Sequence, residues 1–229
     1  SWEYNTDLFD GTTIKRIAEH FQILTAGIVA NPQGRISQLP LMGAREREQV
    51  LYTWNETDTD YPQDKCIHQL FEEQVARRPE AVAVVFADQQ LTYQQLNERA
   101  NQLAHYLQKQ GVQTEDLVGI CLERSPEIIV AILGILKAGA AYVPLDPNYP
   151  PERLSFLRED SQLTILLTQE ELLETIPPFE GQVICLDVDW VDIGRESPLN
   201  LDNHVNGGHL AYVIYTSGST GQPKGVLIN

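Results

Sequence analysis

The sequence predicts an α/β protein: a mostly parallel sheet covered by helices. Two observations carry this. From residue 66 onward, short β-branched runs alternate with amphipathic helical segments at the spacing of strand–helix–strand crossovers. The last apolar run, Leu210–Tyr215, passes directly into Thr216, Ser217, Gly218, Ser219, Thr220 and Gly221, then Gln222, Pro223, Lys224 and Gly225. Four hydroxyls, flexible glycines and a lysine suit a backbone that must approach a bulky anion closely and donate hydrogen bonds to it.

Taken in order, Thr12–Ala30 carries Ile14, Ile17, Ala18, Phe21, Leu24 and Ile28 at helical spacing and reads as a surface helix packing one apolar stripe. Asn31, Pro32 and Gly34 end it. A short charged helix opens at Arg45, and Trp54–Pro62, rich in turn formers, reads as extended linker. Cys66–Arg77 is the next helix, with Ile67, Leu70, Phe71 and Val75 on its inner face, and Ala81–Phe86 is a strand followed by a turn at Asp88–Gln90. Thr92 and Gln95 form a capping box for a helix whose core positions are Leu96, Ala100, Leu103 and Leu107.

Leu117–Leu122 is strand-like. Ser125 and Pro126 are an N-cap and first helical residue, and the helix they open, apolar nearly all round, ends at Gly139. A buried strand at 140–146, a helix opened by Pro151, strands at Leu163–Thr168, Gln182–Asp187 and His209–Thr216, and a helix at Gln169–Thr175 complete the pattern. The edge near Val213 is expected to be unpaired and prone to aggregation.

Composition narrows the function. A net charge of −16 argues against a nucleic-acid partner, which requires a basic face, but leaves room for one nucleotide held locally. No apolar run reaches the roughly 20 residues of a membrane span. Cys66, Cys121 and Cys185 are far apart, offer neither a disulfide framework nor zinc spacing, and suit a reducing cytoplasm. The start without Met and the abrupt end at Asn229 read as a fragment of a longer chain.

The Ser/Thr/Gly loop departs from the Walker pattern, with Pro223 where a glycine belongs and Gly225 where a hydroxyl belongs. It departs from G-x-G-x-x-G as well, because Gly218 and Gly221 lack a third glycine. Taken whole, Tyr215–Gly225 resembles the phosphate loop of adenylate-forming enzymes. Leu136–Asp146 (LKAGAAYVPLD) resembles the second core motif of amino-acid adenylation domains in nonribosomal peptide synthetases, and Leu91–Leu96 (LTYQQL) their first. Tyr4–Phe9, the helix after it and Leu39–Leu41 resemble the end of a condensation domain. Thr92 and Leu96 are already accounted for as cap and core, Lys137 as a cation at a helix C-terminus and Gly139 as its stop, so both upstream motifs read as architectural.

The resemblance implies three regions: 1–44, the end of a condensation domain; 45–65, a linker; and 66–229, the N-terminal part of an adenylation domain with the partial α/β large subdomain of that family. It implies ATP with Mg²⁺, an amino-acid substrate, and phosphopantetheine on a carrier domain of the same synthetase. Thr216, Ser217, Ser219 and Thr220 would be the hydroxyl donors, Gly218 and Gly221 would give backbone access, and Lys224 would give positive charge. The later adenylation motifs, the condensation His-His motif and a carrier serine motif are absent from this sequence, so the segment alone is expected to be inactive. An acyl- or aryl-CoA ligase and a non-catalytic nucleotide-binding piece are the alternatives.

Overall fold

Helix signals in the sequence translate directly into backbone geometry in the computed structural model, which describes residues 2–202, 205–217 and 222–229. The chain divides into two compact units, Ser1–Tyr61 and Pro62–Asn229.

In the first unit, helix α1 (Gly11–Ala30) follows an extended Asp10 and closes at Asn31. Helix α2 (Ala44–Leu51) and two 3-10 turns, Ile36–Gln38 and Thr53–Asn55, follow. Gly27 lets the chain fold back, since a Cβ there would sit 2.6 Å from Cδ of Pro40. His20 on α1 meets Glu46 on α2 at 2.6 Å, and Trp2 stands edge-on to Phe21. The apolar stripe of α1 is only half covered: Ile14, Ala18 and Leu24 are half-buried, while Ile17, Phe21 and Ile28 are exposed.

The second unit begins with α3 (Ile67–Arg77) and a hairpin of β1 (Val82–Phe86) and β2 (Gln89–Thr92). The second strand takes residues expected to turn; the turn shrinks to Ala87 and Asp88, because Phe86 pairs with Gln89 and Ala87 takes the positive φ that a two-residue hairpin needs. The capping box forms as expected. The Thr92 hydroxyl accepts from the Gln95 N–H at 3.2 Å, Gln95 Oε1 accepts from the Thr92 N–H at 2.9 Å, and α4 (Tyr93–Lys109) buries Leu96, Ala100, Leu103 and Leu107.

Then come β3 (Leu117–Ile120), α5 (Pro126–Ala138), β4 (Ala141–Pro144), α6 (Pro151–Asp160), β5 (Ile165–Thr168), β6 (Gln182–Cys185), α7 (Trp190–Ile193), β7 (Tyr212–Thr216) and β8 (Lys224–Ile228). Among the described residues these strands form one sheet in the order β6-β5-β3-β4-β7-β8, parallel from β6 through β7, with β8 antiparallel at the edge.

Alternation along the strands feeds two cores. Val118, Ile120, Ile165 and Leu167 face α4 and α5, whereas Val143, Leu145, Leu166 and Val213 face α6 with Leu154 and Leu157. Helix α5 begins with Pro126 and ends at left-handed Gly139. Gly134 brings α5 hard against α4, a Cβ there falling 2.8 Å from Leu103.

Four expectations need correcting. The inner face of α3 runs through His68, Phe71 and Val75, so Phe71 and Val75 face inward as expected while Ile67 and Leu70 are exposed, because the helix meets α4 and α5 slightly round from the predicted stripe. The helix expected at 169–175 is a single 3-10 turn, Glu170–Leu172, and Pro177 and Pro178 stop the chain from extending it. Lys137 does stand in the last turn of α5, but the dipole alone does not account for it: it is 1% exposed and paired with Glu72 of α3. Val213 is not an unpaired edge, because β8 returns alongside β7 and pairs Leu227 with it.

Candidate active site

The site is built where β7 ends. Thr216, the last residue of β7, is the ladder partner of Lys224, the first of β8, so the hairpin ladder closes the base of the loop spanning 217–223. Directly paired residues project from the same face of a sheet. The Thr216 hydroxyl and the Lys224 ammonium stem therefore stand side by side at the loop's neck, both exposed, with exposed Ser217 next in the chain. Gly218, Ser219, Thr220 and Gly221, the rest of the predicted phosphate cradle, lie outside the described residues.

One residue earlier, Tyr215 pairs with Gly225 and faces α6. A Cβ on residue 225 would sit 3.2 Å from the ring carbon Cζ of Tyr215, so the glycine that breaks the Walker pattern makes room for this ring. The Tyr215 hydroxyl donates to Oδ2 of Asp160, the last residue of α6, at 2.6 Å. Burial, and then the hydrogen bond and charge of Asp160, push the phenol up to about 12, so it stays a donor through the physiological range.

Beside the neck, a groove of about 470 Å³ opens at the carboxyl ends of β3, β4 and β7. Glu123 and Arg124 follow β3, Asp146, Asn148 and Tyr149 follow β4, and Ile214 and Tyr215 belong to β7. This is the edge at which open parallel sheets take their ligands. Its walls are preset by local bonds: Asp146 Oδ1 accepts from the Asn148 N–H at 2.9 Å, and the Arg153 guanidinium stacks 4.0 Å over the Tyr149 ring. Cys121 is 1% exposed, and burial pushes its thiol up to about 12, which makes it inert filling; all three cysteines are free. Among the described residues no group of three or more His, Cys, Asp or Glu side chains could hold a metal ion.

Sequence reasoning singles out Thr216, Ser217 and Lys224, which the hairpin brings together. It misses Arg124, Tyr215 and Asp160 as parts of the site. Arg124 could have been found from its place between a strand end and the Ser125-Pro126 helix start. The Tyr215–Asp160 contact spans 55 positions and has no local signal.

A polar network holds the segment that leads into β7. Asn200 Oδ1 accepts from Asn97 and Asn101 of α4, each at 2.9 Å, and lies 3.5 Å from Lys137 Nζ. Asn101 also donates to the Pro198 carbonyl at 2.7 Å, and Lys109 pairs with Glu196 at 2.6 Å. The lysine of the LKAGAAYVPLD motif thus ties α3, α5 and this crossing segment together inside the protein. Burial lowers its pKa, and the bond to Glu72 opposes that shift.

The profile of the AMP-binding enzyme family matches residues 71–229, which include the groove and the whole β7–β8 loop. The chain belongs to the AMP-binding enzyme family. Among relatives of this AMP-binding chain, a linear gramicidin synthase polypeptide of Brevibacillus parabrevis is 50% identical over 226 residues, 99% of this chain and 4% of that protein. Chondramide synthase of Chondromyces crocatus is 46% identical over 229 residues, 99% of this chain and 6% of that protein. The chain therefore spans a small fraction of the length of these relatives. Its fold matches the crystal structure of the nonribosomal peptide synthetase FmoA3 with a TM-score of 0.71 at 31% identity, covering 96% of this chain and 23% of that one. The AMPPNP-bound form of FmoA3 gives 0.70 at 29% identity over the same shares of the two chains. The N-terminal subdomain of NpsA from Klebsiella oxytoca gives 0.64 at 29%, covering 72% of this chain and 42% of that one. Because the similarity to the synthetases covers 99% of this chain, it takes in most of residues 1–61 as well, ahead of the stretch the family profile matches.

Proposed function

We propose that this chain is part of a nonribosomal peptide synthetase module that activates an amino acid with ATP as an aminoacyl adenylate, for loading onto the phosphopantetheine thiol of a carrier domain. The observation that carries the reading is the pairing of Thr216 with Lys224 at the mouth of a Ser/Thr/Gly loop beside the carboxyl edge of a parallel sheet. In this reading residues 1–44 are the end of a condensation domain, 45–65 a linker and 66–229 the N-terminal part of the adenylation domain. The nearly full-length similarity to peptide synthetases, most of residues 1–61 included, favours this over a free-standing acyl- or aryl-CoA ligase.

As the amino-acid carboxylate attacks the α-phosphorus, negative charge builds on the departing pyrophosphate. Lys224 and the hydroxyls of Thr216, Ser217, Ser219 and Thr220 would stabilise that charge, with Gly218 and Gly221 letting the backbone close on the β- and γ-phosphates. Magnesium would arrive with the nucleotide, since such sites draw few protein ligands. We place the module in the cytoplasm; no helix among the described residues is long and apolar enough to cross a membrane.

In the full-length synthetase, Lys224→Ala is expected to slow amino-acid-dependent ATP–pyrophosphate exchange at least about tenfold, roughly 1.4 kcal/mol of transition-state stabilisation. Exchange at the parent rate would refute the role of Lys224. Exchange driven only by fatty or aryl acids, across a panel that includes amino acids, would move the chain to the ligase reading.

A further inference from the structure

We infer that the Tyr215–Asp160 hydrogen bond is a positioning device that fixes the neck of the phosphate loop on helix α6, and that its loss weakens the handling of ATP rather than of the amino acid. The inference rests on the functional reading above and adds two residues to it.

Strand β7 alternates. Val213 and Tyr215 face α6, and the next residue, Thr216, faces the other way at the neck. The ring of Tyr215 lies across β8 at Gly225, the residue immediately after Lys224, so one side chain touches both strands of the hairpin beside the two neck residues. Its hydroxyl then reaches out of the hairpin to Asp160 at 2.6 Å, the short separation of a charge-assisted O–H···O⁻ bond. The anchor is firm because α6 is itself built in: Leu154 and Leu157 are buried against the sheet.

The acceptor also has a reason to hold on. Asp160 is the last residue of α6, at the negative end of the helix dipole, and the tyrosine O–H offsets its charge there. A phenol held up to about 12 keeps its proton across the working range, so the bond does not switch with pH there. Without it the hairpin keeps its ladder, since the backbone pairing from Tyr212 to Thr216 is untouched. What it loses is its fixed tilt against α6. A change in tilt moves Thr216 and Lys224 together relative to the groove, and sub-ångström misplacement of phosphate ligands is costly.

The test uses the full-length synthetase and ATP–pyrophosphate exchange with both substrates varied. Tyr215→Phe removes only the hydroxyl and is expected to raise the KM for ATP about fivefold or more, with the amino-acid KM within twofold of parent and only a small fall in Tm. Asp160→Ala should match it, the double variant should be no worse than either single, and Asp160→Asn, whose amide oxygen still accepts, should recover most of the affinity. Parent-like kinetics in Tyr215→Phe would overturn the inference, as would a fall in Tm with both KM values rising together, the mark of a merely structural bond. Failure of the functional reading looks different: Lys224→Ala would then be silent. A slow Lys224→Ala with a normal Tyr215→Phe removes the anchor and leaves the loop.

Discussion

Among the glycines of the second unit where a methyl group would collide, Gly134 and Gly119 provide a sharp test of how its packing works. A Cβ on Gly134 of α5 would lie 2.8, 2.9 and 3.1 Å from Cδ2, Cγ and Cβ of Leu103, a residue with no exposed surface. A Cβ on Gly119 of β3 would lie 2.8 and 2.9 Å from the Cδ1 tips of Leu163 and Leu166. Leucine tips can swing to another rotamer, whereas the Cβ and Cγ of Leu103 move only if α4 moves. Replacing Gly by Ala reduces the freedom of the unfolded chain by a similar amount at both sites, roughly 0.5–1 kcal/mol. Overpacking a fixed neighbour costs about 1–3 kcal/mol. Gly134→Ala is therefore expected to destabilise by about 1–2 kcal/mol, roughly 2–8 °C in Tm for a unit of this size, and Gly119→Ala by less than about 1 kcal/mol. Urea titration followed by Trp190, with Trp2→Phe and Trp54→Phe in the background, reports on the second unit. If Gly119→Ala proves the more damaging of the two, the distinction between movable tips and fixed branch points fails.

Two further outcomes follow from particular groups. Thr92→Ala removes one half of the capping box of α4 and is expected to cost about 1 kcal/mol in the same titration; an unchanged midpoint would mean that β2 already fixes the start of the helix. Tyr215 has a folded pKa raised from 10.0 to about 12, so the folded chain keeps a proton that the unfolded chain gives up. Its stabilising effect is fully present below about pH 10 and is lost as pH rises towards 12. Tyr215→Phe should flatten that alkaline decline in stability without abolishing it, because burial raises Tyr106 and Tyr142 as well. A decline of parent steepness would contradict the assignment.

The parts of this fold that are legible in the sequence are those governed by neighbours in the chain. Thr92 with Gln95, Pro126 with Gly139, and the i, i+4, i+7, i+11 series of Leu96, Ala100, Leu103 and Leu107 each state their own structure. The Ser/Thr/Gly run after β7 is just as local, a string of neighbouring residues whose order carries the resemblance to a phosphate loop. What cannot be read depends on pairing at a distance. Gln89–Thr92 has no strand signature of its own and becomes one through β1, and the helix-end cation Lys137 gives no local sign of its partner Glu72, 65 positions earlier. Lys224–Ile228 escapes notice because its strand character is realised only when β7 lies alongside.

That returning strand also bears on when the site forms. Every parallel pairing in the sheet joins segments separated by a helix or a long connection, as with Tyr142 and Tyr212, 70 positions apart. Thr216 and Lys224 are separated by only 8. Closing a short hairpin takes on the order of microseconds, whereas distant parallel strands meet only after a larger entropic cost of loop closure. The ladder at the mouth of the loop therefore has a smaller closure cost than any parallel pairing in the sheet, and it becomes stable once the neighbouring strands cover it.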